Sequence, residues 1–282
     1  MEDILGPSHK DKDPSVYVAG SYYVGSDWKA CYWIGNGSPI DLNTAGAFES
    51  GAESIAVIGG NIYMAGLYNV AKACYWRNGI FTDLHPAGAA ESYASSIAVS
   101  GGNAYVAGYY ELGPVKACYW VDGGMPIDLH PAGATSSTAS SIAVSGGNIY
   151  TAGYYQDAIA NKACYWVDGG TPIDLHPSGA TSSNANSIAV SGGNVYVAGV
   201  YNNGSDKACY WVNGGTPIDL HPSGATSSTA RAIAVSGRNV YVAGYYLEGS
   251  SLRACYWKNA AMTNLHPSGF NSSAASGIVL VR

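Results

Sequence analysis

The chain has 282 residues and a net charge of −6, and only 11% of its residues are charged. Its 13 Lys and Arg form no basic run, which argues against a nucleic-acid partner. No apolar stretch approaches the roughly 18 residues that a membrane helix needs. A composition rich in Gly, Tyr, Val and Ile favours short strands joined by tight turns.

Residues 1–14, MEDILGPSHKDKDP, precede the first predicted strand and lack the apolar segment of a signal peptide. We predict that they form a tail or an expression scar outside a single domain that covers residues 15–282. Two interpretations of the missing leader stay open: the protein is not exported, or the leader has been removed.

One unit repeats along the whole domain. Its KACYW-like segment recurs every 43 to 46 residues, and residues 116–155 and 162–201 differ at only seven of forty positions. The Cys of this segment marks the six copies: Cys31, Cys74, Cys118, Cys164, Cys209 and Cys255. A period near 45 residues is typical of the blades of a β-propeller.

Each unit is predicted to form four strands, which we name A to D in chain order. Examples are strand A at Ser96–Val99, strand B at Val195–Gly199, strand C at Lys162–Val167 and strand D at Pro172–Leu175. The junctions SGGN, between A and B, and DGG or NGG, between C and D, supply the positive-φ positions of hairpin turns. Strands B and C are apolar on both faces, which fits sheets packed between two neighbours.

The two ends of the chain distinguish a closed ring from an open β-solenoid, the main alternative. The domain opens with a strand B at Val16–Gly20 and closes with a strand A at Gly277–Val281, so the ends together complete one unit. We therefore predict an all-β, six-bladed β-propeller with four antiparallel strands per blade. In this prediction a C-terminal strand joins the N-terminal blade and closes the ring.

The segment KACYWVDGGTPIDLHPSGATSSNANSIAVSGGNVYVAGVY (162–201) resembles the HAF repeats of bacterial, often exported, proteins, and its IAVSGGNVYVAG portion resembles SBBP repeats. The resemblance extends over residues 16–282. It departs from the HAF pattern at Cys31 and its equivalents, where HAF units have Phe, and at the His-Pro after strand D. It implies a propeller blade and favours an exported or cell-surface location, but it implies no single activity.

The repeated residues are interpreted as framework. Equivalent Cys in neighbouring blades should lie about 10 Å apart, beyond disulfide reach, so we predict six buried, reduced thiols. His at the end of strand D should bond loop backbone rather than metal, because equivalent outer positions are far apart; these are His85, His130, His176, His221 and His266, with Asn43 in the first unit. Three repeated positions account for 18 of the 23 Tyr. No metal or other cofactor is expected.

A functional site should lie where the repeat is broken. The position two residues before the Ile of strand A is small or uncharged in four units but charged in two; its residues are Glu53, Ser95, Ser140, Asn186, Arg231 and Ser276. If strand A is innermost, these residues surround the mouth of the channel, and Glu53 and Arg231 would face a ligand together. The alternative is ordinary surface variation.

The loops between strands B and C are the second break, and they share one face of the propeller with the D–A loops. We predict that any partner docks on this B–C/D–A face, with Trp28, the one Trp outside the repeat, and Asp27 beside it as contacts. The alternative is that Trp28 only covers the closing blade. The acids of the B–C loops, such as Glu111 and Glu248, should form rim ion pairs with the Lys or Arg that follows.

The sequence therefore predicts a monomeric, non-enzymatic binding or scaffold propeller with a glycan or protein partner. One alternative is a propeller-fold lyase or hydrolase with a site at the channel mouth. Another is an engineered or recently amplified repeat protein without a ligand, which the high identity between units would suit.

Overall fold

The computed structural model describes residues 16–42 and 46–280, which form a six-bladed β-propeller. All 23 strands in these residues are antiparallel to their sheet neighbours, and five blades have four strands in the order A-B-C-D. Within the described ranges no helix is long and apolar enough to span a bilayer.

The strands are, by blade: β1 Tyr17–Val24, β2 Asp27–Ile34 and β3 Ile40–Asp41 in blade 1; β4 Ser50–Ile58, β5 Asn61–Tyr68, β6 Lys72–Arg77 and β7 Ile80–Asp83 in blade 2; β8 Ser92–Ser100, β9 Asn103–Glu111, β10 Val115–Val121 and β11 Ile127–Asp128 in blade 3; β12 Ser136–Ser145, β13 Asn148–Gln156, β14 Asn161–Val167 and β15 Ile173–Asp174 in blade 4; β16 Ser182–Ser191, β17 Asn194–Asn202, β18 Asp206–Val212 and β19 Ile218–Asp219 in blade 5; β20 Ser227–Ser236, β21 Asn239–Glu248, β22 Ser251–Lys258 and β23 Ala261–Asn264 in blade 6.

The core consists of layers between neighbouring blades. In strand C of blade 3, Tyr119 packs against blade 4, whereas Cys118 and Trp120 pack against blade 2. Successive side chains of a strand point to opposite faces, so the CYW segment contacts both neighbours at once. Strands B and C are therefore apolar on both faces, as the sequence predicted.

Two kinds of turn lie on the same face of the propeller. In blade 3 the C–D turn contains Asp122 and Gly123, with φ of 47° and 78°. The Oδ1 atom of Asp122 accepts a hydrogen bond of 2.8 Å from the backbone N–H of Ala104, the second residue of strand B. This bond ties the C–D turn to the end of the A–B turn, so the B–C and D–A loops share the opposite face.

The strands differ in length from the prediction. Strand A, predicted at Ser96–Val99 in blade 3, extends from Ser92 to Ser100, because its Ser- and Ala-rich first half also pairs with strand B. Strand D, predicted at Pro172–Leu175 in blade 4, is reduced to Ile173–Asp174. Proline has no N–H for the ladder, which shortens strand D at its beginning.

The first blade has three strands in the described residues. Residues 265–280 contain no strand, so the strand predicted at Gly277–Val281 is not formed over 277–280, and residue 281 lies outside the described residues. Ser273 nevertheless donates its backbone N–H to the carbonyl of Leu252 at 2.8 Å and accepts the N–H of Ala254 on Oγ at 2.9 Å. Ser228 accepts the N–H of Ala208 in the same way, so residue 273 lies against blade 6 where a strand A begins.

The seam between blades 6 and 1 lacks a bond that recurs at other blade interfaces. A strand A serine accepts the backbone N–H of an Ile in the next blade, as Ser96 does from Ile142 at 3.3 Å and Ser187 from Ile233 at 3.2 Å. At the seam, alanine (Ala232) replaces this serine, and glycine (Gly277) replaces it at the next interface, between blades 1 and 2. The serine hydroxyl is therefore absent at both interfaces of the C-terminal segment.

All six Cys are buried and unpaired. Burial raises the pKa of each thiol, to about 11 for Cys31 and about 12 for Cys255, because the thiolate loses its solvation. The strand D carboxylate nearby adds to this effect at the five Cys other than Cys255. The thiols are thus held in their unreactive form.

We expect a thiol reagent at about pH 8 to modify none of these Cys in the native protein, since only the thiolate reacts and it must reach solvent. The same reagent in denaturant, without reductant, should titrate six thiols. Fast modification of even one Cys in the folded protein, or fewer than six after unfolding, would contradict the blade register. Release of each thiol should follow the unfolding transition measured by tryptophan fluorescence.

Candidate functional site

The innermost strands surround a cavity of about 540 Å³ on the propeller axis. The six residues that precede the strand A Ile by two positions all line this cavity, together with Tyr245, Ala274 and Ala275. The structure therefore brings Glu53 and Arg231 into one site. It also places Ser276 of the C-terminal segment in the sixth position around the axis.

A β-bulge presents each lining residue to the cavity. In blade 3 Ala94 pairs with Gly108 and Ser96 pairs with Ala107, so Ser95 between them has no partner on strand B. The same interruption occurs in the other complete blades at Glu53, Ser140, Asn186 and Arg231. A bulge of this kind redirects a side chain out of the regular alternation.

The bulge explains the glycine in the VAG segment of strand B. A Cβ atom on Gly108 would overlap the carbonyl oxygen of Tyr93 in the facing strand, and the same collision exists at Gly66, Gly153, Gly199 and Gly244. Only glycine permits this close approach. The repeated glycine thus serves the bulge, and through it the cavity lining.

Glu53 interacts electrostatically with Tyr93 of the neighbouring blade. The pKa of Tyr93 is raised by burial and further by the charge of the Glu53 carboxylate. The ring of Tyr93 stacks on Tyr109, with centroids 5.8 Å apart and an interplanar angle of 8°. Burial, followed by the nearby acids and Tyr154, also raises the pKa of Tyr109. Both phenols therefore remain neutral hydrogen-bonding groups near pH 7.

Arg231 is held by Tyr245 of its own blade. One guanidinium nitrogen (Nη2) donates to the Tyr245 hydroxyl at 3.1 Å, and the guanidinium carbon lies 5.5 Å from the centre of the Tyr245 ring. Within the described residues neither Glu53 nor Arg231 belongs to an ion pair. Each charge therefore faces the cavity, with a tyrosine rather than an opposite charge as its partner.

The sequence analysis missed four tyrosines beside the bulges, of which Tyr245 lines the cavity. Tyr93, Tyr109, Tyr154 and Tyr245 are four of the five Tyr outside the three repeated positions. They occupy one cross-strand pair of positions beside the bulge, where other blades have residues such as Leu67 or Asn184. A comparison of the six units at this pair would have found them, because only some blades carry an aromatic ring there.

Trp28 and Asp27 lie apart from the cavity lining, on the β1–β2 hairpin of the B–C/D–A face. The indole is 49% exposed and packs on Tyr23 with ring centroids 5.4 Å apart. Asp27 forms an ion pair of 3.4 Å with Lys29. The four residues predicted as a site thus separate into a cavity pair and a hairpin pair.

The predicted rim ion pairs are found in three B–C loops: Lys29–Asp27, Lys162–Asp157 at 2.7 Å and Arg253–Glu248 at 2.8 Å. The interpretation is wrong for blade 3, where Lys116 pairs with Asp128 of strand D at 3.4 Å instead of Glu111. In blade 5 Asp206 accepts a hydrogen bond from the Asn202 amide at 2.7 Å.

The rings of four repeated His, at positions 130, 176, 221 and 266, bond a loop carbonyl as predicted, whereas the ring of His85 bonds the Ser92 hydroxyl. In blade 3 the Nε2 atom of His130 donates to the loop carbonyl of Ala134 at 3.1 Å, and Nδ1 accepts from the Ser137 hydroxyl at 2.8 Å. Ser137 also accepts the N–H of Ala117 and is fully buried, so this Ser–His contact offers no accessible nucleophile. Asn43, the residue of the first unit, lies outside the described residues. No group of three or more metal-ligating side chains is found in the described ranges.

No protein-family model matches the chain, and no curated protein matches it. Among solved structures 123 chains match. One is a thermostable family-43 glycoside hydrolase, with 13% identity, 77% of this chain and 94% of that chain covered, and a TM-score of 0.46. Another is an exo-1,5-α-L-arabinanase from a bovine ruminal metagenomic library, with 10% identity, 76% and 95% covered, and a TM-score of 0.40.

A third similar structure is a puromycin-hydrolyzing peptidase from Mycobacterium tuberculosis, with 14% identity and a TM-score of 0.52. The similarity covers 88% of this chain and 43% of that chain. At these identities it extends to the fold alone. The activities named for these proteins are not transferred to this chain, because function resides in a site rather than in a fold.

Proposed function

We propose that the protein is a non-enzymatic carbohydrate-binding propeller whose site is the axial cavity, opening on the B–C/D–A face. One observation carries the proposal: the six-fold repeat is broken among the described residues that line the cavity, by the carboxylate of Glu53, the guanidinium of Arg231 and the ring of Tyr245. Framework positions repeat from blade to blade, whereas these positions differ. The resemblance to bacterial HAF-type repeats supports the further proposal that the protein acts as a monomer at the cell surface.

The chemistry of the lining suits a saccharide. Ser95, Ser140 and Asn186 offer hydroxyl and amide groups, and the two charged residues add strong hydrogen-bond partners. The ring of Tyr245 provides flat apolar surface beside these groups. The volume of about 540 Å³ lies within the range of small-ligand sites.

A hydrolase or lyase at the same place is the second candidate, because a mouth lined by charged residues is common to both functions. Glycoside hydrolysis usually requires a pair of carboxyl groups, one acid and one base or nucleophile. Glu53 is the single carboxylate among the described residues that line the cavity. This lining supports binding over turnover.

The test is a glycan array followed by calorimetry on the purified full-length protein. The parent is compared with a variant in which the charged cavity residues are replaced by the residue found at the same position in other blades. The double variant Glu53→Ser/Arg231→Ser replaces both charges by the serine that Ser95 and Ser140 already place at equivalent bulges. We expect affinity to fall about tenfold or more, since hydrogen bonds to charged groups are the strong ones. The melting temperature should stay close to that of the parent.

The matched control is Arg238→Gly, a consensus reversion in the A–B turn of the opposite face, where equivalent turns have Gly147 and Gly193. It should leave affinity unchanged. Trp28→Ala should weaken binding less than the double variant; a larger loss would move the site to the β1–β2 hairpin. Turnover of a bound glycan would establish the enzyme alternative, and binding of no glycan would refute the proposal.

A further inference from the structure

Arg231 has unused hydrogen-bonding capacity directed to the axial cavity. A guanidinium group has five N–H donors, and the structure assigns it one hydrogen bond, to the Tyr245 hydroxyl. The side chain is exposed although it lies among the lining residues of the cavity. The remaining donors are free to bind a ligand.

The position of Arg231 is fixed by two contacts with one ring. The hydrogen bond to the Tyr245 hydroxyl and the cation–π contact with the same ring hold the guanidinium plane. A guanidinium that is oriented in advance loses less conformational entropy on binding, and its fork of donors matches the two oxygens of a carboxylate.

The acid of the cavity does not neutralise Arg231. Glu53 lines the same cavity, but no ion pair within 4 Å joins it to Arg231 in the described residues. Ser276 occupies the lining position between them in the ring. The cavity thus has a guanidinium group on blade 6 and a carboxylate on blade 2.

We propose that the ligand is an acidic saccharide. Arg231 binds the carboxylate of a uronic acid residue, and Glu53 accepts hydrogen bonds from hydroxyl groups of the adjoining sugar. This inference rests on the proposed carbohydrate-binding function and specifies its ligand class. The serines and Asn186 that line the rest of the cavity are uncharged, so among the described lining residues only Glu53, on blade 2, carries a charge that repels the carboxylate of a sugar acid.

The experiment compares trisaccharides of galacturonate, glucuronate and mannuronate with their methyl esters, which keep the hydroxyl groups and remove the charge. Affinities are measured by calorimetry for the full-length protein and for Arg231→Ser, Arg231→Lys and Arg238→Gly. Thermal unfolding of each variant establishes that it is folded. Neutral trisaccharides from the glycan array serve as reference.

The parent protein should bind at least one uronate about tenfold or more tightly than its ester. Arg231→Ser should abolish this preference while retaining the affinity for the ester, Arg231→Lys should retain part of it, and Arg238→Gly should retain all of it. Equal affinity for acid and ester, or a preference that survives in Arg231→Ser, would overturn the inference while leaving carbohydrate binding intact. Binding of no saccharide would overturn both.

Discussion

Replacement of Gly199 by alanine should lower the free energy of unfolding by about 3 kcal/mol, and it should do so without removing a single contact of the native protein. The added Cβ would overlap the carbonyl oxygen of Asn184 and lie 3.0 Å from the ring of Trp211. Backbone on one side and a fully buried indole on the other leave no room for adjustment. Urea unfolding followed by tryptophan fluorescence measures the change.

The control for this prediction is Gly51→Ala, in the innermost strand of blade 2. A Cβ there meets only the Glu53 side chain at 3.6 Å, and equivalent positions carry Tyr93 and Thr138. The control should change stability by less than about 0.5 kcal/mol. If the two variants are equally stable, the bulge does not impose the repeated glycine.

The second large effect concerns closure of the ring. Deletion of residues 277–282 should cost several kcal/mol, because the edge of strand β1 and the adjoining face of blade 6 would have no covering segment. Ser273 lies against blade 6 and Ser276 lines the cavity, and closure of the ring requires residues 277–282 to continue along β1. The melting temperature of the shortened protein, measured by circular dichroism, tests this.

Deletion of residues 1–14, which removes a longer stretch from the other end of the chain, is the control, and it should leave the melting temperature unchanged. A companion variant tests the seam in the opposite direction. Ala232→Ser and Gly277→Ser restore the serine that bonds the next blade elsewhere, and each should stabilise the protein by about 1 kcal/mol. A C-terminal deletion without effect on the melting temperature would refute closure by this segment.

The repeat was sufficient to predict the blades, their hairpin turns and the ring of residues from Glu53 to Ser276 around the axis. These features follow from local patterns: the CYW alternation, paired glycines and the spacing from the strand A Ile. The first half of strand A was not predicted, because Ser136–Ala139 resembles a loop until its pairing with Tyr154 and Tyr155 is known.

Tyr245 of the cavity and the other tyrosines beside the bulges could not be found from composition alone. Tyr93 and Tyr109 are neighbours only across a hairpin, and their link to Glu53 crosses a blade boundary. Three-dimensional contact between different units is not encoded in the periodicity of one unit. The loss of the hydrogen bond between blades at Ala232 and Gly277 was not predicted for a related reason. It can be recognised only when serine at the equivalent positions is known to bond the next blade.

The bulge separates the residues of the β-ladder from those that line the cavity. Glu53, Arg231 and the three other bulged residues have no cross-strand partner, whereas the residues on either side of them are paired and packed. Substitution at a bulged position therefore leaves the ladder unchanged, although at Asn186 it also removes a hydrogen bond to the next blade, to the carbonyl of Ala230. The lining of the cavity can thus change by single substitutions without compensating changes in the ladder.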